Sequence, residues 1–86
     1  MLRGKTILIT GSSRGIGAAT ARLAKKYGAT VILHGKEDSK ELKKLSKELA
    51  AQYVVFDVAD ERAARKAIAK RGVDILVNNA GISISK

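Results

Sequence analysis

The 86-residue chain contains no cysteine. Disulfide staples and thiolate metal sites are thereby excluded, and a reducing, cytoplasmic setting fits. Aromatic side chains are nearly as scarce, with Tyr27, Tyr53 and Phe56 the whole set, so the 45% apolar content is mostly aliphatic. Asparagine occurs only at 78 and 79 and glutamine only at 52, a depletion found in heat-adapted proteins. No apolar run approaches the ~20 residues that a membrane span requires, and the N-terminus lacks the charged-then-apolar pattern of a signal peptide. The length suits one small domain over residues 1–86, with one core.

What the chain has in excess is positive charge: 17 basic against 8 acidic side chains, a net +9. Such a balance favours anionic partners. Most of it is a solvated helix surface. Lys40, Lys43, Lys44 and Lys47 fall between the leucines of one helical segment, and Arg62, Arg65, Lys66 and Lys70 lie on another.

The apolar pattern alternates between two kinds of segment. Short β-branched runs, Thr6 to Thr10, Thr30 to Leu33, Tyr53 to Phe56 and Val73 to Val77, read as strands of a parallel sheet covered on both faces. Between them, Ile16, Thr20, Leu23, Ala24 and Tyr27 share a helical face, as do Leu42, Leu45 and Leu49, and then Ala64, Ala67, Ile68 and Arg71. Gly28 and Gly72 stand where left-handed C-cap residues belong. Asp38 with Glu41 reads as a capping box for the second helix, whereas Ala59, before the third, offers no capping group. The order β-α-β-α-β-α-β implies an α/β fold with a parallel four-stranded sheet and right-handed crossovers.

Residues unsuited to packing cluster at the carboxyl ends of the strands. Gly11-Ser12-Ser13-Arg14-Gly15-Ile16-Gly17 follows the first, His34-Gly35-Lys36 the second, Asp57 ends the third, and Asn78-Asn79-Ala80-Gly81 ends the fourth. In open α/β sheets that rim is where ligands bind. The glycines allow a sharp turn and close approach of a ligand, and a helix starting near Gly15 would aim unpaired N–H groups at it. Ser12 and Ser13 would add hydroxyl donors and Arg14 a charge. This pattern favours phosphate binding over a simple tight turn.

These motifs carry a family resemblance along the whole chain. Thr10 to Gly17 resembles the TGxxxGIG cofactor loop of short-chain dehydrogenases/reductases, Asp74 to Gly81 resembles their DILVNNAG segment, and Asp57-Val58 stands where they place an adenine-contacting Asp. Within the family the chain resembles the 3-oxoacyl-carrier-protein reductase branch. The resemblance implies half of a Rossmann fold with strand order 3-2-1-4, the first two helices on one face and the third on the other. Gly11, Ser12, Ser13, Arg14, Gly15, the Ile16 backbone and Gly17 would hold the pyrophosphate side of a dinucleotide. Asp57 and Val58 would meet the adenine, Asn79 would lie near the nicotinamide ribose, and Asn78 and Thr10 would tie the central strands. At the end of the second strand an acidic residue would accept from a ribose 2′-hydroxyl. Lys36 stands there instead and, with Arg14, would suit a 2′-phosphate, so NADP is expected before NAD. His34 reads as a strand-end residue and not as an acid or base.

The family's chemistry uses a Tyr-x-x-x-Lys pair. Here Tyr27 is followed four places on by Val31 and Tyr53 by Asp57, so no catalytic residue is assigned. The chain alone is expected to be a dinucleotide-binding half-domain without dehydrogenase activity. Its fourth strand would be an apolar edge, covered by a second copy in a homodimer, with the tail Ile82-Ser83-Ile84 extending the pairing, or by a complementing C-terminal half. Two other readings compete: a self-associating structural module with weak or no cofactor binding, and, ranked last for want of aromatic stacking residues, a nucleic-acid binder.

Overall fold

A computed structural model of the chain describes residues 2–79. Its elements are β1 (Thr6–Ile9), α1 (Gly15–Lys26), β2 (Thr30–Gly35), α2 (Lys40–Leu49), β3 (Gln52–Val55), α3 (Glu61–Arg71) and β4 (Ile75–Val77). The strands pair in parallel in the order β3-β2-β1-β4. Order, direction and element types are those expected. Ala80 and Gly81 of the last motif, and the tail Ile82-Ser83-Ile84, lie outside the described residues.

Alternation along the strands sorts the core into two layers. Ile7, Ile9, Val31 and Leu33 point to one face, where α1 and α2 cover them. Leu8, Ile32 and Val54 point to the other, with Phe56, Ile68 and Val73 packed against them. From α2, Leu42, Leu45 and Leu49 are all buried, and the lysines between them face solvent. Each such leucine contributes roughly 1.5–3 kcal/mol by leaving water. Asp74 fastens the start of the sheet. Its N–H donates to Thr6 O and its Oδ2 accepts from Thr6 N–H, both at 2.8 Å, which locks the register of β1 against β4.

Several local expectations are overturned. The buried stripe of α1 is Gly17, Ala18, Ala21 and Ala24, while Ile16, Leu23 and Tyr27 are 68%, 53% and 44% exposed. The helix sits close to the sheet, so only small residues fit beneath it. The larger ones lie on the flank opposite Arg22, which reaches across to Glu48 of α2. In β4, Ile75 and Leu76 are only partly covered among the described residues. β4 is accordingly not covered on both faces.

The start of α2 is capped by Ser39, whose Oγ accepts from Leu42 N–H at 3.1 Å, and not by an Asp38 capping box. With the cap at 39, Glu41 falls one residue short of the position that could reach back. Asp38 instead lies 3.7 Å from Lys43. Ala59 is no vacancy in the third cap either. The cap is Asp60, whose Oδ1 accepts from Ala63 N–H at 3.1 Å. His34 and Gly35 belong to β2 and not to the loop after it, because the ladder with β3 runs on to Gly35.

Candidate functional site

β1 ends pointing at the rim, and the chain must then reverse into α1. Gly11 and Gly15 take φ of 62° and 63°, in the left-handed region where a side chain is strained. At Gly17 the requirement is space. A Cβ there would collide with the Gly11 carbonyl and lie 2.8 Å from Asn79 Nδ2. Around Gly15, by contrast, there is open space. The N-cap of α1 is Arg14, which makes no side-chain capping bond, and no acid stands in the first turn. The first intrahelical bond at this end is Ala18 N–H to Arg14 O, so the amides of Gly15, Ile16 and Gly17 have no partner within the helix. The positive end of the helix dipole thus stands beside the open space at Gly15, which suits a phosphate.

The turn is held from behind by three residues. His34 is 1% exposed. Its Nδ1 accepts from Gly11 N–H at 2.9 Å, and its Nε2 lies 2.7 Å from Phe56 O. Ser12, fully buried, bonds the His34 backbone reciprocally: its Oγ accepts from His34 N–H at 2.8 Å, and its own N–H donates to His34 O at 2.9 Å. Asn79 Nδ2 donates to Gly11 O at 3.0 Å. Burial pushes the His34 imidazole below its ordinary pKa, and the Phe56 carbonyl opposes that shift.

In front of the turn lies a cleft of about 420 Å³. Ser13 and Arg14 line it from the turn, Lys36 from the end of β2, and Asp57 and Val58 from the end of β3. Lys36 Nζ is 3.9 Å from Asp57 Oδ2, a loose ion pair between exposed groups. The other carboxylate oxygen of Asp57 accepts from Ala59 N–H at 2.9 Å, shaping its own loop. An adjoining cleft of about 410 Å³ continues past Arg14 and Lys36 to Glu37 and Glu41. Near the β1–β4 seam, Thr10 Oγ1 lies 3.3 Å from Val77 O and 3.4 Å from Asn78 Oδ1, the strand tie expected of that pair.

Three of the segments singled out in the sequence thus meet in one cleft, and Asn79 of the fourth touches the turn that walls it. One detail differs from expectation. The Ser12 hydroxyl is not offered to the cleft, being turned inward onto β2. The Ile16 side chain lies on the exposed flank, which leaves its backbone for the role expected of it. The residue that sequence reasoning missed is His34 as the anchor of Gly11. The available signal was a lone histidine interrupting the aliphatic run Thr30-Val31-Ile32-Leu33.

A parallel sheet with a glycine turn and an uncapped helix at its carboxyl rim defines a Rossmann-type nucleotide fold. The family model for short chain dehydrogenase matches residues 5–86, and the chain belongs to that family. It is 47% identical over 85 residues to the 3-oxoacyl-acyl-carrier-protein reductase of Rickettsia conorii, matching 95% of this chain and 35% of the relative. It is 45% identical over 86 residues to a serine 3-dehydrogenase of Rhizobium radiobacter, with 92% of this chain and 34% of the relative covered. The chain therefore spans about a third of the length of these relatives. Among solved structures, BdcA in complex with NADPH superposes with a TM-score of 0.86, with 43% identity over 96% of this chain and 34% of that one.

Proposed function

We propose that this chain supplies the NADP(H)-binding half of a short-chain dehydrogenase/reductase, and that proton transfer depends on groups outside its 86 residues. The observation that carries the reading is the convergence of the turn that opens α1, through Gly11, Ser13 and Arg14, with Lys36 and Asp57 on one cleft. The residues fit a dinucleotide. Gly17 leaves no Cβ between turn and helix, and Gly15 leaves the approach open. The Gly11–Gly17 turn would hold the pyrophosphate, Arg14 and Lys36 a 2′-phosphate, Asp57 and the Val58 backbone the adenine, and Asn79 the nicotinamide ribose. When bound, the nicotinamide supplies hydride chemistry, and this chain's residues orient it. The relative solved with NADPH supports the choice of cofactor, as does the absence of a carboxylate before Glu37 at the end of β2. A reducing, cytoplasmic setting suits such a cofactor. The test is titration with NADPH, NADH and 2′-phosphorylated AMP while following amide resonances near Gly15. Tighter binding of the two 2′-phosphorylated ligands is expected, and no response at millimolar concentration of any of them sinks the reading.

A second reading concerns partners, and the exposure of β4 favours it. Ile75 and Leu76, on opposite faces of this edge strand, are 38% and 47% exposed. Covering what each still exposes is worth about 1 kcal/mol, somewhat under half of a full burial. We infer that β4 is covered, by a second copy about a two-fold axis or by a complementing C-terminal half. Sedimentation at micromolar concentration decides between the first and no self-association. A monomer mass independent of concentration removes the dimer. Recovery of reductase activity on adding a separate C-terminal half would establish the complementation.

A further inference from the structure

The ring of His34 is fixed by two backbone groups of opposite kind. Gly11 N–H can only donate, so Nδ1, 2.9 Å away, must be the bare nitrogen. Phe56 O can only accept, so Nε2, 2.7 Å away, must carry the hydrogen. The imidazole is therefore neutral, in one tautomer, and stretched between the cofactor turn and the end of β3. Protonation would put a second N–H on Nδ1, facing the Gly11 N–H. The bond would be lost and two donors would confront each other. The Gly11 carbonyl is meanwhile tethered by Asn79, and Ser12 is tethered to the His34 backbone, so the Gly11 peptide is held at both its polar atoms.

We propose that neutral His34 is a positioning residue for the dinucleotide, holding Gly11 and hence the α1 amides in binding shape, and that its protonation releases the turn and weakens binding. This rests on the nucleotide reading above. The charged groups around the cleft that the ring faces are Arg14 from the turn, Lys36 from the end of β2 and Asp57 from the end of β3. Arg14 and Lys36 resist a third positive charge. Asp57 would welcome it, but its oxygens are engaged by Ala59 N–H and, loosely, by Lys36. Burial of the ring also disfavours the charge, against the Phe56 carbonyl, which favours it.

The experiment compares wild type with His34→Asn, whose Oδ1 can replace Nδ1 as acceptor without titrating, and His34→Phe, which keeps a ring and loses the acceptor. NADPH affinity is measured at pH 7.5 and 5.5, and in the free protein the ring nitrogens and the Gly11 amide are followed by NMR through the same range. Wild type is expected to lose about 5-fold more affinity on acidification than His34→Asn, one hydrogen bond's worth. His34→Phe should bind weakly at both values, and the Gly11 amide should move with the ring nitrogens. A pH loss that His34→Asn shares in full, or a Gly11 amide indifferent to the ring, overturns the proposal and leaves the nucleotide reading standing. No binding by wild type at either pH overturns both.

Discussion

Helices α2 and α3 begin as a helix in water does best, and α1 does not. Ser39 and Asp60 each accept a bond from the amide three residues on, at 3.1 Å, and Glu41 and Glu61 set a carboxylate in the first turn against the dipole. Such a cap is worth about 1 kcal/mol. The start of α1 has an arginine at the cap position, Gly15 and Gly17 just after it and no acid in its first turn. Yet that turn is not loose, since His34, Ser12 and Asn79 fasten it from the side away from the cleft. The two capped starts satisfy their amides internally, for stability. The third holds its amides in place and leaves them unsatisfied, which makes sense if an anion completes it.

The most direct way to break the comparison is to close the space behind the turn. Gly17→Ala drives a methyl into the Gly11 carbonyl and against Asn79. Overpacking of this kind costs about 1–3 kcal/mol, and we expect NADPH affinity to drop by about 100-fold or beyond detection, since the turn itself must shift. Thermal unfolding alongside the titration separates loss of fold from loss of site. Binding retained within about 3-fold would show that the turn does not hold the ligand. Next in size is an exchange of roles. Arg14→Asp gives α1 the cap it lacks, and should stabilise the ligand-free protein by about 1 kcal/mol while weakening NADPH by at least about 10-fold. Asp60→Ala is its mirror, costing about 1 kcal/mol in unfolding free energy and leaving affinity unchanged. If both substitutions shift stability the same way, the start of α1 is an ordinary helix end.

Much of this was legible beforehand, and the pattern of failure is physical. The elements and the meeting of the rim segments could be read because β-branched runs and glycine spacing are local signals, and the strand order followed from the resemblance that two long motifs carry. The buried face of α1 was misread because periodicity marks the bulkiest residues, whereas the close approach of helix to sheet selects the smallest. Ser39 and Asp60 were overlooked as caps because the cap is set by where the backbone turns, and that shifts by a residue without changing composition. The end of α2 had no glycine to announce it, and Ala50 takes φ of 51° there against its preference. His34 could not be recognised as an anchor because its partners, Gly11 N–H and Phe56 O, are backbone atoms 23 and 22 residues away.

A smaller effect sharpens what the cations at the uncapped end are for. Lys36 is 72% exposed and its pairing with Asp57 is long, so removing it should barely alter stability. Lys36→Ala is expected to reduce NADPH affinity by about 10-fold and NADH affinity by less than about 2-fold, because only the former presents a 2′-phosphate. Equal losses for the two ligands would make Lys36 a general attractor, and no loss for either would leave Arg14 as the sole candidate for that phosphate.

The smallest expected effect is on the ligand-free protein, and it asks whether the uncapped turn feels acid through its anchor. The folded state holds His34 neutral, with its pKa depressed by burial. In the unfolded chain the same imidazole takes up a proton near pH 6.5. Between those two values the unfolded state binds more protons, so stability rises with pH there. The contribution is complete above about pH 6.5 and is lost as pH falls towards the folded value, with a slope that one site cannot make steeper than about 1.4 kcal/mol per pH unit. Urea unfolding at closely spaced pH values should show this slope in wild type, and His34→Asn should remove that share of it. A slope that survives the substitution unchanged assigns the titration to another group and detaches the turn's stability from its anchor. A slope of the opposite sign would mean that the folded ring is charged, which the Gly11 N–H facing Nδ1 forbids unless the turn has already moved.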